Sequence, residues 1–366
     1  MITRVAIRGI GPVGGFGCGV NELRRVLKDR RSLTGTVSID SSDKTLAMPA
    51  FIADTSSLES FVDKKALRRI DHYTKMALLG AYLALDDAKD FEIDRSRMGI
   101  VIASGYGATK TTFAFLDSVI DYGDSCASPT HFSNSVHNAA AAHASILLKI
   151  TGPSLTVSQF EMSIPSALLS ACQWLAEKRV DSVLFGGVDE YSSVLGYCWN
   201  RFFGEPKETT IRSLEFDRQS AVIGEGAVFF LLSRDEKQIA PYGFIEEVKV
   251  GSIEEGNLDL PENAFLFLGA DGHIQCSRLY RRFIPKNAEV VSYTPLYGSL
   301  PIGSGFDIAV AALSMKERTI FASPDCTVDS CTMNIVRENK ALNLHPVCCL
   351  KLGQQSEFGV ITLGCS

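Results

Sequence analysis

No apolar run in this chain of 366 residues reaches the ~18 residues that a membrane-crossing helix needs, which excludes a transmembrane reading. An excess of basic charge is lacking too. The formal net charge is −6, so nucleic acid is not the default partner. Residues 1–20 do not show the charged start, apolar stretch and small-residue cleavage site of a signal peptide, and a cytoplasmic location is expected. Ten cysteines are present, yet none stands in a CxxC or Cys/His pairing; Cys348 and Cys349 are adjacent, and Cys326 and Cys331 are five apart. That spacing offers no zinc site and fits reduced, mostly buried thiols. What is left is an ordinary globular composition, 21% charged and 46% hydrophobic, in a chain long enough for one large unit or two domains.

The stretch at 152–171, GPSLTVSQFEMSIPSALLSA, organises the rest. A β-rich run at 154–158 follows a Gly-Pro turn, and a helical pattern starts at Ser163 with Pro165 in the first turn, where a missing N–H costs nothing. Gln159, Phe160, Glu161 and Met162 therefore occupy a sharp turn at a helix N-terminus, where backbone N–H groups and the helix dipole favour negative charge. A cysteine placed there would have a depressed pKa and act as a thiolate nucleophile. This chain carries Glu161 instead. Ser158 and Ser163 flank the turn, but no histidine or lysine is placed by sequence to activate either.

Residues 4–10 read as an opening strand, followed by a glycine-rich turn, GPVGGFGCG, whose irregular spacing argues against a dinucleotide site. Residues 32–60 read as irregular. Leu67, Ile70, Met76, Leu79 and Leu83 stand at helical spacing and predict a long helix or two over 64–89. A buried strand at 98–104, a helix from about 109 to 120, a helical run at 128–150 and strands at 181–187 and 226–232 continue the alternation. It restarts near Tyr242 with strands at 243–250, 265–269, 289–293, 346–350 and 357–363 and helices at 275–283 and 303–316. The pattern predicts a duplicated α/β fold with buried sheets, divided at 1–240 and 241–366. His131, His137 and His143 recur every sixth residue, so they do not share one helix face as a metal trio would.

Over nearly its whole length the chain resembles a β-ketoacyl synthase of the thiolase fold. RRIDHYTKMAL (68–78), GIVIASGYG (99–107), GPSLTVS (152–158), FGGVDE (185–190), FDR (216–218) and GEGA (224–227) match that family in order. The resemblance implies a layered αβαβα architecture. It also implies a catalytic cysteine that attacks the acyl thioester and two histidines that assist decarboxylation. Carried over, the cysteine position falls on Glu161, the first histidine on Asp271 in GADGH (with His273 two places later) and the second on Ser299 in TPLYGS, where Thr294 replaces the motif lysine. The glycine-rich loop near the C-terminus is altered to LKLGQQS (350–356).

With all three chemical groups replaced, the pattern resembles the chain length factor of bacterial type II polyketide synthases, in particular those of octaketide, anthraquinone-type systems. Such a factor is non-catalytic and pairs with an active ketosynthase to form one tunnel for the growing chain. The substrate arrives on the phosphopantetheine of an acyl carrier protein, and no cofactor or metal of the factor's own is implied. By the same resemblance, Lys64, Lys65, Arg68 and Arg69, read as a basic helical face, contact the carrier protein. Ser154, Leu155, Thr156, Val157 and Ser158 form the strand at the dimer interface. Thr109, Thr112 and Leu116, one face of a helix with Phe113 beside them, line the tunnel, with Phe115 on a neighbouring flank. Typical factors carry glutamine where Glu161 stands, which leaves a decarboxylase role open. A divergent condensing enzyme or malonyl-carrier decarboxylase using Glu161, Asp271 or a serine, and a homodimeric acyl-binding protein, are the alternatives. Plainer readings stand beside these: Glu161 caps the helix dipole or meets a basic partner, the basic residues form a solvated face, and the helix residues are ordinary core.

Overall fold

The computed structural model describes residues 4–32, 34–40, 45–204, 209–234, 240–256, 258–261, 263–325 and 333–365; Cys326 and Cys331 lie outside them. Eleven strands run in line through a twelve-stranded sheet. The first half supplies β1 (Val5–Gly14), β2 (Met98–Ala103), β3 (Ser154–Val157), β4 (Ser182–Asp189) and β5 (Gly226–Arg234). The second supplies β6 (Phe244–Ser252), β7 (Phe265–Leu268), β8 (Glu289–Val291), β9 (Asn334–Ile335), β10 (Val347–Leu352) and β11 (Glu357–Gly364). Their order is β9-β8-β7-β10-β11-β6-β1-β5-β4-β2-β3. Counted outwards from the junction, where Val5 and Ala6 of β1 meet Ile245 and Phe244 of β6, the first half runs first, fifth, fourth, second, third, and the second runs first, sixth, fifth, second, third, fourth, the same order with one strand added at the edge. The duplication absent from the residues is written in the strand order.

Nine α-helices among the described residues complete the layers. On the outer face of the first half lie α2 (His72–Asp87) and α5 (Ala139–Leu148), packed into one apolar cluster with β2, β4 and β5. Between the halves lie α6 (Ser163–Ala176) and α9 (Gly303–Glu317), each touching strands of both. On the outer face of the second half lies α8 (Ile274–Phe283). This is the αβαβα layering. The remaining helices are α1 (Val20–Asp29), α3 (Thr109–Tyr122), α4 (Pro129–Ser135) and α7 (Ser193–Phe203). No helix among the described residues is long and apolar enough to cross a membrane.

Several local expectations are corrected. The glycine-rich stretch after residue 10 turns only at Gly15 and Phe16: β1 runs on to Gly14, paired with β5. Its glycines let α2 lie against it, since a Cβ on Gly11 would sit 2.0 Å from the Gly80 carbonyl oxygen and 2.6 Å from the Ala84 nitrogen. Residues 32–60 hold a hairpin, Gly35–Asp40 with Thr45–Ala50, and a 3₁₀ turn at Ser56–Ser60. The helix predicted over 64–89 starts only at His72, because the Asp71 carboxylate accepts the Thr74 N–H and caps it. Lys64, Lys65, Arg68 and Arg69 therefore ride on successive turns, not a helical face; Val62, Leu67 and Ile70 are buried and pin those turns. The run at 128–150 is broken into α4 and α5 by an extended Val136.

Gly11→Ala should lower stability by about 3 kcal/mol, because both faces of the contact are backbone and neither yields. Gly35→Ala, whose Cβ would lie 3.6 Å from the Ala50 oxygen, should stay within about 0.5 kcal/mol of the parent. Chemical denaturation of both variants checks the contrast.

Candidate functional site

The site grows from the exit of β3. Phe160 sits in the left-handed region at φ 44°, turns the chain sharply, and a single 3₁₀ turn (Phe160–Met162) leads into α6. Serines knit this turn together. Ser163 Oγ accepts the Gln159 N–H at 2.8 Å and donates to the Ser104 carbonyl at 3.0 Å, and Ser166 Oγ donates to the Gln159 side chain at 2.7 Å. Ser163 is thus a structural hydroxyl. Glu161, half-buried, makes no ion pair or hydrogen bond among the described residues, but its charge is felt at Tyr106, His273, Cys276 and Lys351. It stands in the 3₁₀ turn at the N-terminus of α6, where its charge faces the positive end of the helix dipole.

Opposite this turn, the loop after β7 carries Asp271 and β10 carries Lys351. Their side chains meet at 2.9 Å, and the ammonium also donates to the Gly269 carbonyl at 3.0 Å. Both are buried. Burial alone would raise the Asp271 pKa, but the Lys351 charge outweighs it and holds the carboxyl below its ordinary value. Burial likewise works against a charged Lys351, and the Asp271 carboxylate reverses it and raises the pKa. The pair is ionised on both sides. The replaced motif residues brace the same loop: Ser299 Oγ donates to the Asp271 carbonyl at 2.6 Å while accepting the Val222 N–H, and Thr294 Oγ1 donates to the Ala270 carbonyl at 2.9 Å.

His273 lies between Trp199 and Phe203, each ring centroid 4.8 Å away, with its Nδ1 3.3 Å from the Gln219 side-chain nitrogen. Burial lowers its pKa, which keeps the ring neutral. Tyr106 stacks edge-on against Phe160, so aromatic rings wall the space beside the turn. Cys276 is buried near these charges and burial pushes its thiol up to about 12; Cys172 in α6 is also pushed up to about 12 by burial. Neither is a thiolate at neutral pH.

The structure thus brings Asp271 and Ser299 into contact and places Glu161 close enough to act electrostatically on His273 and Lys351 beside them. It places the other predicted residues elsewhere. Thr109, Thr112, Phe113 and Leu116 lie on α3, Thr109 and Thr112 half-buried, Phe113 and Leu116 exposed; Phe115 instead packs on Phe132 at 5.4 Å. Ser154, Leu155, Thr156 and Val157 form the edge strand, pairing only with β2 among the described residues, and Ser158 is exposed just beyond it. Lys64, Lys65, Arg68 and Arg69 are all exposed, Lys64 paired with Glu59 at 3.0 Å. His143 reaches Asn134 at 3.3 Å, and no cluster of metal-ligating side chains occurs among the described residues.

Sequence reasoning missed a second polar cluster. Asp189, at the end of β4, accepts from Ser104 Oγ and from the N–H groups of Gly105 and Tyr106; burial pushes its carboxyl up to about 6. Glu225 accepts from Ala53 N–H and Tyr191 N–H and meets His72 Nε2 at 2.8 Å. Burial opposes charge on His72, but Glu225 prevails and raises its pKa. Glu190 accepts the Lys110 N–H at 2.9 Å, and burial pushes its carboxyl up to about 8. Two acids closing an apolar strand, and one lysine inside the apolar run CCLKLG, were the available signals.

With the geometry in hand, the comparisons become informative. Residues 3–238 match the N-terminal domain of β-ketoacyl synthases, and the chain belongs to that family. Among curated relatives, a 3-oxoacyl-acyl-carrier-protein synthase 2 of Vibrio cholerae is 25% identical over 246 residues, covering 64% of this chain; the chain spans 58% of that relative's length. Among solved structures, a β-ketoacyl synthase from Burkholderia phymatum superposes with a TM-score of 0.80 at 18% identity, covering 100% of each chain. The ishigamide ketosynthase/chain length factor also gives 0.80, at 15% identity and 100% coverage of each chain. A type II polyketide synthase acyl-carrier protein in complex with its ketosynthase bound to the hexaketide gives 0.76 at 16%, again with 100% of each covered.

Lys351→Met should cost about 3–5 kcal/mol, because it strands a buried carboxylate, whereas the double change with Asp271→Asn should recover most of the loss. Chemical denaturation of the four-member cycle checks this. The Glu190 pKa is raised from its ordinary 4.5 to about 8, so its contribution to stability is full below pH 4.5 and is lost as pH rises through 8. Glu190→Gln should flatten that fall by up to about 1.4 kcal/mol per pH unit, measured by unfolding between pH 5 and 9. Parallel profiles would show that Glu190 does not titrate there.

Proposed function

We propose that this chain is a non-catalytic, chain-length-setting partner of a ketosynthase, the chain length factor of a type II polyketide synthase. The observation that carries the reading is the replacement at the site. At the turn where the family's nucleophile stands there is a carboxylate, and the two positions answering to histidines hold Asp271, locked in a buried pair with Lys351, and Ser299, spent on the Asp271 carbonyl. A carboxylate does not do a thiolate's work on a thioester, and serine lacks an imidazole's proton chemistry. The buried thiols near the site are inert.

In this reading the partner ketosynthase supplies the nucleophile and pairs along Ser154, Leu155, Thr156 and Val157. A carrier protein presents the chain on its phosphopantetheine arm and meets Lys64, Lys65, Arg68 and Arg69, all exposed. The factor needs no cofactor of its own. Thr109, Thr112, Phe113 and Leu116 wall the shared tunnel, and an octaketide is the first product length to look for.

Intact-mass measurement after incubation with acyl- and malonyl-carrier thioesters should show no adduct on this chain. An adduct on Ser158, Ser163 or a cysteine would overturn the reading. Co-expressed with a ketosynthase, the chain should co-purify at equal ratio, and the pair should make polyketide. Phe113→Ala and Leu116→Ala should lengthen the product by one or more two-carbon units at retained turnover. Unchanged length in both would place the limit elsewhere.

A further inference from the structure

Helix α3 meets α4 along its length, with Phe115 on Phe132 and Ser118 Oγ accepting the Ser128 N–H, but its one buried residue lies at its start. Of its residues only Thr111 is buried, and its N-cap residue, Ala108, has no side chain able to satisfy the first N–H groups. That duty falls to acids on other elements. Glu190, immediately after β4, is buried and accepts the Lys110 N–H at 2.9 Å. Asp71, which caps α2 with one oxygen, takes the Thr111 hydroxyl with the other at 3.0 Å. One residue before Glu190, Asp189 takes the Ser104 hydroxyl and the N–H groups of Gly105 and Tyr106. Two consecutive acids therefore hold the whole connection from β2 into α3. Tyr191, next in line, is tied through its N–H to Glu225 at 2.9 Å, which stops the acids from shifting along the chain.

Glu190 has a further peculiarity. Its second oxygen is buried without a hydrogen-bond partner among the described residues, an arrangement that costs free energy unless the position is fixed by something else. A shorter or apolar side chain would avoid that cost but could not reach Lys110. We propose that Glu190 is the positioning residue of α3, standing in from a neighbouring strand for the cap the helix lacks and so setting where Thr109, Thr112, Phe113 and Leu116 lie. As far as it concerns product length, this rests on the reading of α3 as a tunnel wall. The helix hold itself does not depend on that reading, and the two are separable.

The test uses the full chain, alone and paired with a ketosynthase. Glu190→Ala removes the acceptor; Glu190→Gln keeps an amide oxygen for Lys110 and serves as the rescue. In the isolated chain, amide exchange at Lys110 and Thr111 should quicken by about five- to ten-fold in E190A, as for a lost cap, and stay within about two-fold of the parent in E190Q. In the pair, E190A should shift or broaden the product masses by at least one two-carbon unit, and E190Q should restore them. If E190A does not fold, Glu190→Asp, which draws the carboxyl back by one methylene, takes its place. Unchanged exchange at α3 in a folded variant overturns the proposal. Faster exchange with unchanged product in an active pair keeps the hold on α3 and overturns its bearing on product length. If the parent pair makes no polyketide, the functional reading fails, and the hold on α3 stands or falls on the exchange measurement.

Discussion

Burial of α9 between the two half-sheets is the constraint on which the rest depends. From Gly303 to Met315 every residue of this helix is buried, so it has no polar face to turn to solvent and must be covered on all sides. Its one charged interior residue, Asp307, accepts the Tyr297 hydroxyl at 2.6 Å, and burial pushes its carboxyl up to about 6. With α6 in the same layer, α9 fixes the spacing of the halves. The turn that opens α6 and the segment that leads into α9 then come to one place. Glu161 and Ser299, far apart in the chain, face a common centre for that reason.

The centre itself is intelligible only as a set of linked changes. A lone lysine inside β10 would be a desolvated charge costing several kcal/mol, and a lone aspartate in the loop after β7 would be the same with opposite sign. Together they neutralise each other, and the Gly269 carbonyl takes a further ammonium proton. Ser299 and Thr294 brace the loop that carries Asp271. The result is a rigid, charge-balanced interior. Within it, Lys351 and Asp271 each hold the other in its charged form.

How much of this was legible depends on what kind of signal each feature leaves. Long buried strands such as β2 and β10, and helices such as α6 and α9, were readable because apolar runs and helical periodicity are local. Lys64 and its neighbours were misread as helical because Leu67 and Ile70 keep helical spacing, while the cap that starts α2 is a single side-chain contact from Asp71. The strand character of β1 was hidden by glycines whose reason is the backbone of α2, a tertiary fact. Helix α7 escaped notice because its β-branched and aromatic residues give a weak periodic signal, although Ser192 caps it. The positions of Glu161, Asp271 and Ser299 came from resemblance. Lys351, the partner that explains Asp271, follows from no spacing rule, since the two are 80 residues apart.

The other end of the molecule is unfinished in the isolated chain. Strand β3 pairs with β2 on one side only among the described residues, leaving backbone donors and acceptors along its other edge. Helices on its two faces leave Ile146 of α5 72% exposed and Leu169 of α6 39% exposed, and Phe160, just beyond the strand, is 61% exposed. A phenylalanine held at positive φ and left in water is doubly unfavourable: left-handed backbone costs roughly 1–2 kcal/mol for a residue with a Cβ, and its ring gains little from burial. The serines that enforce the turn do not relieve that cost; they only prevent escape from it. An open edge flanked by apolar side chains invites another strand, and a strand with the same flanks meets it best through a two-fold axis. The turn at Phe160 thus keeps its shape at a local cost.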